Sequence, residues 1–199
     1  MNNVHVRGVI AALLAVMIFP LYAGEGKANF SMVSDYIFRG ATASNNKFVV
    51  QGGYEYDYGN SLVSGAWISS LPGAYEYDIY ARFDDSVDDF GYSAGIIYYG
   101  YTKLTPSSSE VNLAVSYKDF SIMSSTGENL VYNEATYDTT LSDIAIRLHY
   151  GHDGQDPDYS LRISKRMSGF DIGLVYASKL DTLTSISTDV YAFTIGKDF

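Results

Sequence analysis

The sequence predicts an all-β fold, a transmembrane antiparallel β-barrel of about twelve strands. Three observations lead there. The chain ends on an alternating segment in which Tyr191, Phe193, Ile195 and the terminal Phe199 share one side, with Ala192, Thr194, Gly196 and Asp198 on the other. A strand with one face in lipid and one in water carries that pattern. The composition, with 19 Tyr, 10 Phe and 18 Gly against 4 Pro, favours strands over helices. Beyond the first two dozen residues no run reaches the roughly 18 apolar residues that a spanning helix needs. Barrel strands escape a hydropathy average because each mixes a lipid face with a wet face.

The amino-terminal end is consistent with export. Arg7 lies in a short polar start, residues 9–19 are an unbroken apolar run, and Pro20-Leu21-Tyr22-Ala23 leads into polar Gly24-Glu25-Gly26-Lys27. The run is too short to span a membrane and reads as a secretory signal peptide, residues 1–23, cleaved after Ala23, which leaves 24–199 as one barrel domain. The sequence has no cysteine, which excludes disulfides and a lipoprotein anchor. Net charge is −10, and the segment 24–199 holds 12 basic and 23 acidic side chains, net −11. Such acidity argues against a nucleic-acid partner, which requires a Lys/Arg surface to neutralise phosphates.

Alternation places the strands in order. Residues 29–40 form the first. Residues 48–58 form the second, with Phe48, Val50, Tyr54, Tyr56 and Tyr58 outward and Gln51, Glu55 and Asp57 inward. Residues 62–70 follow, then 75–84, where Tyr75, Tyr77, Ile79, Ala81 and Phe83 oppose Glu76, Asp78, Tyr80, Arg82 and Asp84. Next come 90–101 and 110–118, the latter with Val111, Leu113, Val115 and Tyr117 outward. The stretch 120–140 alternates least clearly. It is read as two strands around the turn 126–129, because bacterial single-chain barrels have even strand numbers. Residues 143–151, 159–166 and 170–176 and the closing segment complete twelve.

With both termini periplasmic, the turns 59–61, 85–89, 118–119, 141–142 and 167–169 are periplasmic. The connections 41–46, 71–74, 102–109, 126–129, 152–157 and 180–189 face outward and are longer on average, as in outer-membrane barrels. A secreted β-sandwich would also alternate, but its core would be rich in Val, Ile and Leu. Here Tyr54, Tyr56, Tyr58, Tyr75, Tyr77 and Tyr98 cluster near strand ends, where aromatic girdles meet head groups.

The blocks Val33-Ser34-Asp35-Tyr36-Ile37-Phe38-Arg39-Gly40 and Gln51-Gly52-Gly53-Tyr54-Glu55-Tyr56 resemble the opening of the TorF-type porins, a family of bacterial outer-membrane proteins once described as conserved hypothetical. Gly65-Ala66-Trp67, Gly95-Ile96-Ile97-Tyr98-Tyr99 and Gly196-Lys197-Asp198-Phe199 extend the likeness over nearly all of 24–199. The resemblance implies a porin-like barrel without defining a substrate. The end of the chain also resembles the signal read by the outer-membrane assembly machinery, with Tyr191, Phe193, Ile195 and Phe199 as its aromatic and apolar positions; Lys197 departs from the pattern.

Inward charges are the candidates for function. Asp35, Glu55, Asp57, Glu76, Asp78, Asp84 and Glu110, with Arg39 and Arg82, come from the first half of the ring. Arg147, His149, Arg162 and Arg166 come from strands nine and ten. In a ring of twelve these stand opposite one another, so an acidic wall is expected to face a basic one. Opposed walls either orient polar solutes at a constriction or pair and fill the lumen. Inward Tyr80, Tyr99 and Tyr101 favour a narrow passage.

Catalytic signals are poor. His149, His152, Asp153 and Ser160 form no recognisable motif, and no cofactor site is evident. The carboxylates of Asp153, Asp156 and Asp158 lack the spacing of a calcium loop and are expected to be solvated, with at most a weak divalent contact to lipopolysaccharide phosphates. The expected function is passive diffusion of small polar solutes through a porin-like channel in the bacterial outer membrane. The partners implied are lipid, lipopolysaccharide and the assembly machinery. The alternatives are a side-chain-plugged barrel with a structural or adhesive role and a soluble secreted β-sandwich binding protein.

Overall fold

The computed structural model describes residues 24–103, 106–128 and 130–199, so the predicted signal peptide lies outside the described residues. The barrel strands are β1 (Glu25–Val33), β4 (Val49–Asp57), β5 (Leu62–Leu71), β6 (Ala74–Val87), β7 (Phe90–Tyr101) and β8 (Ser108–Tyr117). They continue with β9 (Phe120–Gly127), β10 (Val131–Leu141), β11 (Ile144–His152), β12 (Pro157–Met167), β13 (Phe170–Asp181) and β14 (Ile186–Asp198). Between β1 and β4 lies a separate small hairpin of β2 (Ile37–Phe38) and β3 (Ala41–Thr42). Each barrel strand pairs antiparallel with the next, and β14 returns to β1, closing a twelve-stranded barrel.

The seam runs in register from Asn29↔Asp198 to Val33↔Thr194. Ala28 and Phe199 extend it by exchanging backbone hydrogen bonds of 3.2 and 2.8 Å. The ambiguous stretch 120–140 is two strands, paired from Val131↔Thr126 to Tyr137↔Phe120. The predicted count of twelve holds.

Burial is inverted relative to a soluble protein. Outward positions leave large apolar side chains uncovered, among them Leu113 at 59% exposure and Leu174 at 64%. Buried positions include Asp35, Glu76, Asp78, Glu110 and Asp158. An apolar belt around a closed, polar-lined ring is the arrangement that satisfies every backbone group inside lipid. The sandwich reading is set aside on this ground.

One end of the barrel has tight turns. The reversals at Ser61, Asp88, Lys118, Ser142 and Ser168 carry φ of 67°, 54°, 53°, 60° and 51°, the left-handed backbone that suits the twist of short hairpins. The strands reach further than alternation alone suggested. β6 continues to Val87, reducing the predicted turn 85–89 to 88–89, and β13 and β14 leave only 182–185 of the predicted loop 180–189. The ladder continues past the point where the apolar face fades, because backbone pairing does not depend on side-chain polarity.

The largest departure is at the start. The first strand ends at Val33, not at residue 40, and the segment 34–48 is not an outward loop. It folds into the barrel.

Replacing Leu113 on the outward face of β8 with Arg should cost about 2–4 kcal/mol of stability in lipid vesicles, whereas Leu141→Arg, beside the 142–143 turn, should cost about 0–1 kcal/mol. Urea titration followed by the folded band on unboiled detergent gels measures both. Equal tolerance at the two positions would contradict the placement of the belt.

Candidate functional site

The inward-folded segment is braced from within by Asp35. Its Oδ1 accepts hydrogen bonds from Thr42 Oγ1 at 2.6 Å, Ser44 Oγ at 2.7 Å and the Asn46 amide at 3.2 Å, and Ser44 Oγ accepts from the Tyr36 amide at 2.9 Å. Left-handed φ at Arg39, Gly40, Asn45 and Asn46 reverses the chain twice in this short span. The carboxylate that alternation placed on the barrel wall is therefore the internal brace of a loop.

Arg39 carries the loop across the lumen. Its Nη1 and Nη2 donate to Oε1 and Oε2 of Glu110 on β8 at 3.0 and 2.7 Å, the fork geometry that suits guanidinium and carboxylate. The guanidinium carbon lies 4.2 Å from the centre of the Tyr132 ring on β10 and 4.8 Å from that of Phe38. Tyr36 packs on Trp67 of β5 at 5.6 Å between ring centres, and Phe38 on Tyr99 of β7 at 6.2 Å. Gly40, at φ 75°, lies so close to Asp158 of β12 that any side chain there would overlap it. The loop thus touches inward faces all around the ring.

Of the remaining inward charges on this side, Arg82 is paired with neighbouring acids, whereas Glu76, Asp78 and Asp57 have no basic partner among the described residues. Arg82 donates to Glu55 at 2.7 Å and to Asp84 at 2.5 Å, and the Tyr80 hydroxyl also donates to Glu55 at 3.0 Å. Tyr101 donates to Glu76 at 2.9 Å and Tyr99 to Glu110 at 3.3 Å. Asp78 is buried with Oδ1 unpartnered. Asp57 is exposed at its strand end, accepting from the Gly59 amide at 2.8 Å.

On the far side, Arg147 Nε and Nη2 donate to Asp138 of β10 at 2.6 and 2.9 Å. His149 Nε2 lies 3.0 Å from Asp158 Oδ1, and Tyr132 donates to the same carboxylate. Arg162 sits directly opposite Arg147 in the β11–β12 register. The expected division into an acidic and a basic wall is therefore corrected, since Glu134, Asp138 and Asp158 place acids among the bases. Alternation along 131–141 puts Tyr132, Glu134 and Asp138 inward, but the outward face of that strand carries polar Asn133 and Thr139, which blur the phase in the sequence.

Two cavities meet at the arginine pair. A chamber of about 340 Å³ lies between the inward loop and the β11–β14 wall, lined by Arg39, Arg147, His149, Ser160, Arg162 and Thr194 among others. A vestibule of about 680 Å³ opens at the tight-turn end, lined by Asp119, Asp138, Thr140, Arg147, Arg162 and Ser164 among others. Arg147 and Arg162 line both.

The acidic loop 153–158 does not gather its carboxylates. Asp153 accepts from Lys179 at 2.7 Å, Asp156 from Thr182 and Asp158 from Tyr132. His152 Nδ1 accepts from the Gly154 amide, and Ser160 stands opposite His149 in the ladder.

The sequence matches, over residues 24–164, a family described as bacterial protein of unknown function (Gcw_chp). The chain belongs to that family. No curated protein matches it. Among solved structures it resembles the KdgM porin, with a TM-score of 0.65 at 10% identity over 87% of this chain and 99% of that one. The KdgM porin in complex with disordered oligogalacturonate gives 0.62 at 10% identity over 89% and 99%. The outer membrane protein Omp33 of Acinetobacter baumannii gives 0.54 at 10% identity over 87% and 95%. The chain thus shares its closed barrel fold with solved outer-membrane porins.

Asp153 offers a test at the rim. Partial burial raises its pKa, but donation from Lys179 and from the Asp156 and Gln155 amides outweighs this and holds it at about 2. A depressed folded-state pKa means that the clamp stabilises the loop above about pH 4 and is lost as pH falls toward 2. Hydrogen exchange at the Gln155 and Asp156 amides, corrected for intrinsic rates, should accelerate in that window. In Asp153→Asn it should already be fast at neutral pH.

Proposed function

We propose that this Gcw_chp protein is a porin-like channel of the bacterial outer membrane through which small polar solutes diffuse passively. The observation that carries this is the pair of cavities meeting at Arg147 and Arg162 inside a closed, polar-lined barrel. A solute moving between vestibule and chamber passes those side chains. The likeness to porins, one of them solved with an oligogalacturonate, supports the passage of polar solutes. In this reading Glu55, Asp57, Glu76, Asp78, Arg82 and Glu110 line the wetted wall, and Asp35 and Arg39 form the constriction that rises from the segment 34–48.

The chain is then a TorF-type porin exported by residues 1–23. Its termini and tight turns lie in the periplasm, and its longer connections meet lipopolysaccharide. Tyr191, Phe193, Ile195 and Phe199 present the closing strand to the assembly machinery. The backbone exchange of Phe199 with Ala28 at the seam is consistent with that role.

A second reading draws on the Arg39 latch. A bidentate ion pair flanked by Tyr132 and Phe38 would hold the loop as a plug, giving a barrel with a structural or adhesive role.

Planar-bilayer recording separates the two. Wild type is expected to show small, ohmic steps. Arg39→Ala combined with Glu110→Gln removes the latch without stranding a buried charge, and should raise unit conductance. Insertion of wild type without conductance, together with opening in the double variant, would replace the channel with the plugged barrel.

A further inference from the structure

Of the arginines among the described residues, Arg39, Arg82, Arg147 and Arg166 each have an acidic partner. Arg162 has none: no hydrogen bond or ion pair to a described residue engages its guanidinium, and its side chain is exposed. Serines flank it two positions away on the same inward face, Ser160 toward the chamber and Ser164 toward the vestibule. Their hydroxyls likewise have no partner among the described residues. Three donor groups in a row along β12, about 7 Å apart, therefore point into the space that links the two cavities.

The neighbour across the ladder reinforces this. Arg147 and Arg162 are direct Cα partners, a placement that sets side chains about 5 Å apart and is unfavourable for like charges. Asp138 occupies Nε and Nη2 of Arg147, leaving Nη1. Two cations and one bound acid leave a single net positive charge at the junction. A group that inserts between the guanidiniums, accepts from both and brings one negative charge relieves the repulsion.

We propose that Arg162, with the free edge of Arg147 and the hydroxyls of Ser160 and Ser164, forms a recognition site for the carboxylate of a small organic monoanion. The site rests on the channel reading and names its solute class. A carboxylate matches the planar fork of Arg162. A dianion such as hydrogen phosphate carries more charge than the junction leaves open, and would face Asp138. A volume of about 340 Å³ for the adjoining chamber lies at the small end of ligand cavities, suited to a solute the size of a single sugar acid.

The test uses refolded full barrel and gluconate as probe. In potassium chloride gradients wild type should favour chloride, and millimolar gluconate should interrupt the current. Arg162→Ala removes no hydrogen bond or ion pair to a described residue, so it should fold; it should shift the reversal potential toward cations and weaken the gluconate block about tenfold or more. Arg162→Lys should keep the reversal potential and lose part of the block, because the charge remains and the fork does not. Inorganic phosphate should block less well than gluconate. Unchanged selectivity and block in Arg162→Ala, or stronger block by phosphate, would overturn the proposal.

Calorimetric titration of gluconate into the detergent-folded barrel keeps the two readings apart. Binding lost in Arg162→Ala, in a barrel that never conducts, would sink the channel and leave the site. Conductance in a barrel that binds no gluconate would sink the site and leave the channel.

Discussion

Everything in this molecule follows from the requirement that backbone N–H and C=O groups be paired where no water is available. A strand ladder meets that requirement only if it closes, because an open edge in hydrocarbon leaves a row of unsatisfied groups. The seam between β1 and β14 is therefore the decisive contact. Closure fixes the two faces of every strand, and with them the inversion in which Leu113, Leu174 and Phe193 stand outside while Glu76, Glu110 and Asp158 are covered. Arrangement in a ring, not a hydrophobic core, makes the protein compact.

Inversion creates the second problem, which is what to do with charges gathered in a narrow interior. A buried charge left alone costs about 3–5 kcal/mol, and the bases of the lumen sit in local pairs, Arg82 with Glu55 and Asp84 and Arg147 with Asp138, while His149 is hydrogen-bonded to Asp158. Glu110 has no basic neighbour on the adjacent strands, and its partner comes from the inward loop. Arg39 thus both neutralises a wall carboxylate and anchors the segment that narrows the lumen. One ion pair couples wall electrostatics to lumen width.

The pairing of every other described arginine with an acid gives the exception its meaning. Arg162 faces open space beside another arginine, at the junction of the two cavities. In a lumen where acids outnumber bases, an arginine without an acid marks a local reversal of potential. Charged groups in narrow pores act at that range on solutes that pass them.

By itself the sequence determined the barrel, its strand number and the phase of most strands, because each reports on local physics. An outward face such as Val111, Leu113, Val115 and Tyr117 must be apolar, and the opposite face need not be. Tight hairpins need turn residues at fixed places, and these were legible too. The phase of 131–141 was legible only in part, since Asn133 and Thr139 on the outward face blur the contrast that alternation relies on. The fate of 34–48 was not legible at all. An outward loop and an inward loop have the same composition, and the choice depends on Glu110, Tyr132 and Trp67, which lie far away in sequence and meet the loop only once the ring has closed. Tertiary structure likewise decided that the acids and bases interleave instead of facing each other as walls, because which inward side chains become neighbours is set by strand register across the ladder, and register is a property of pairs of strands that no single strand encodes.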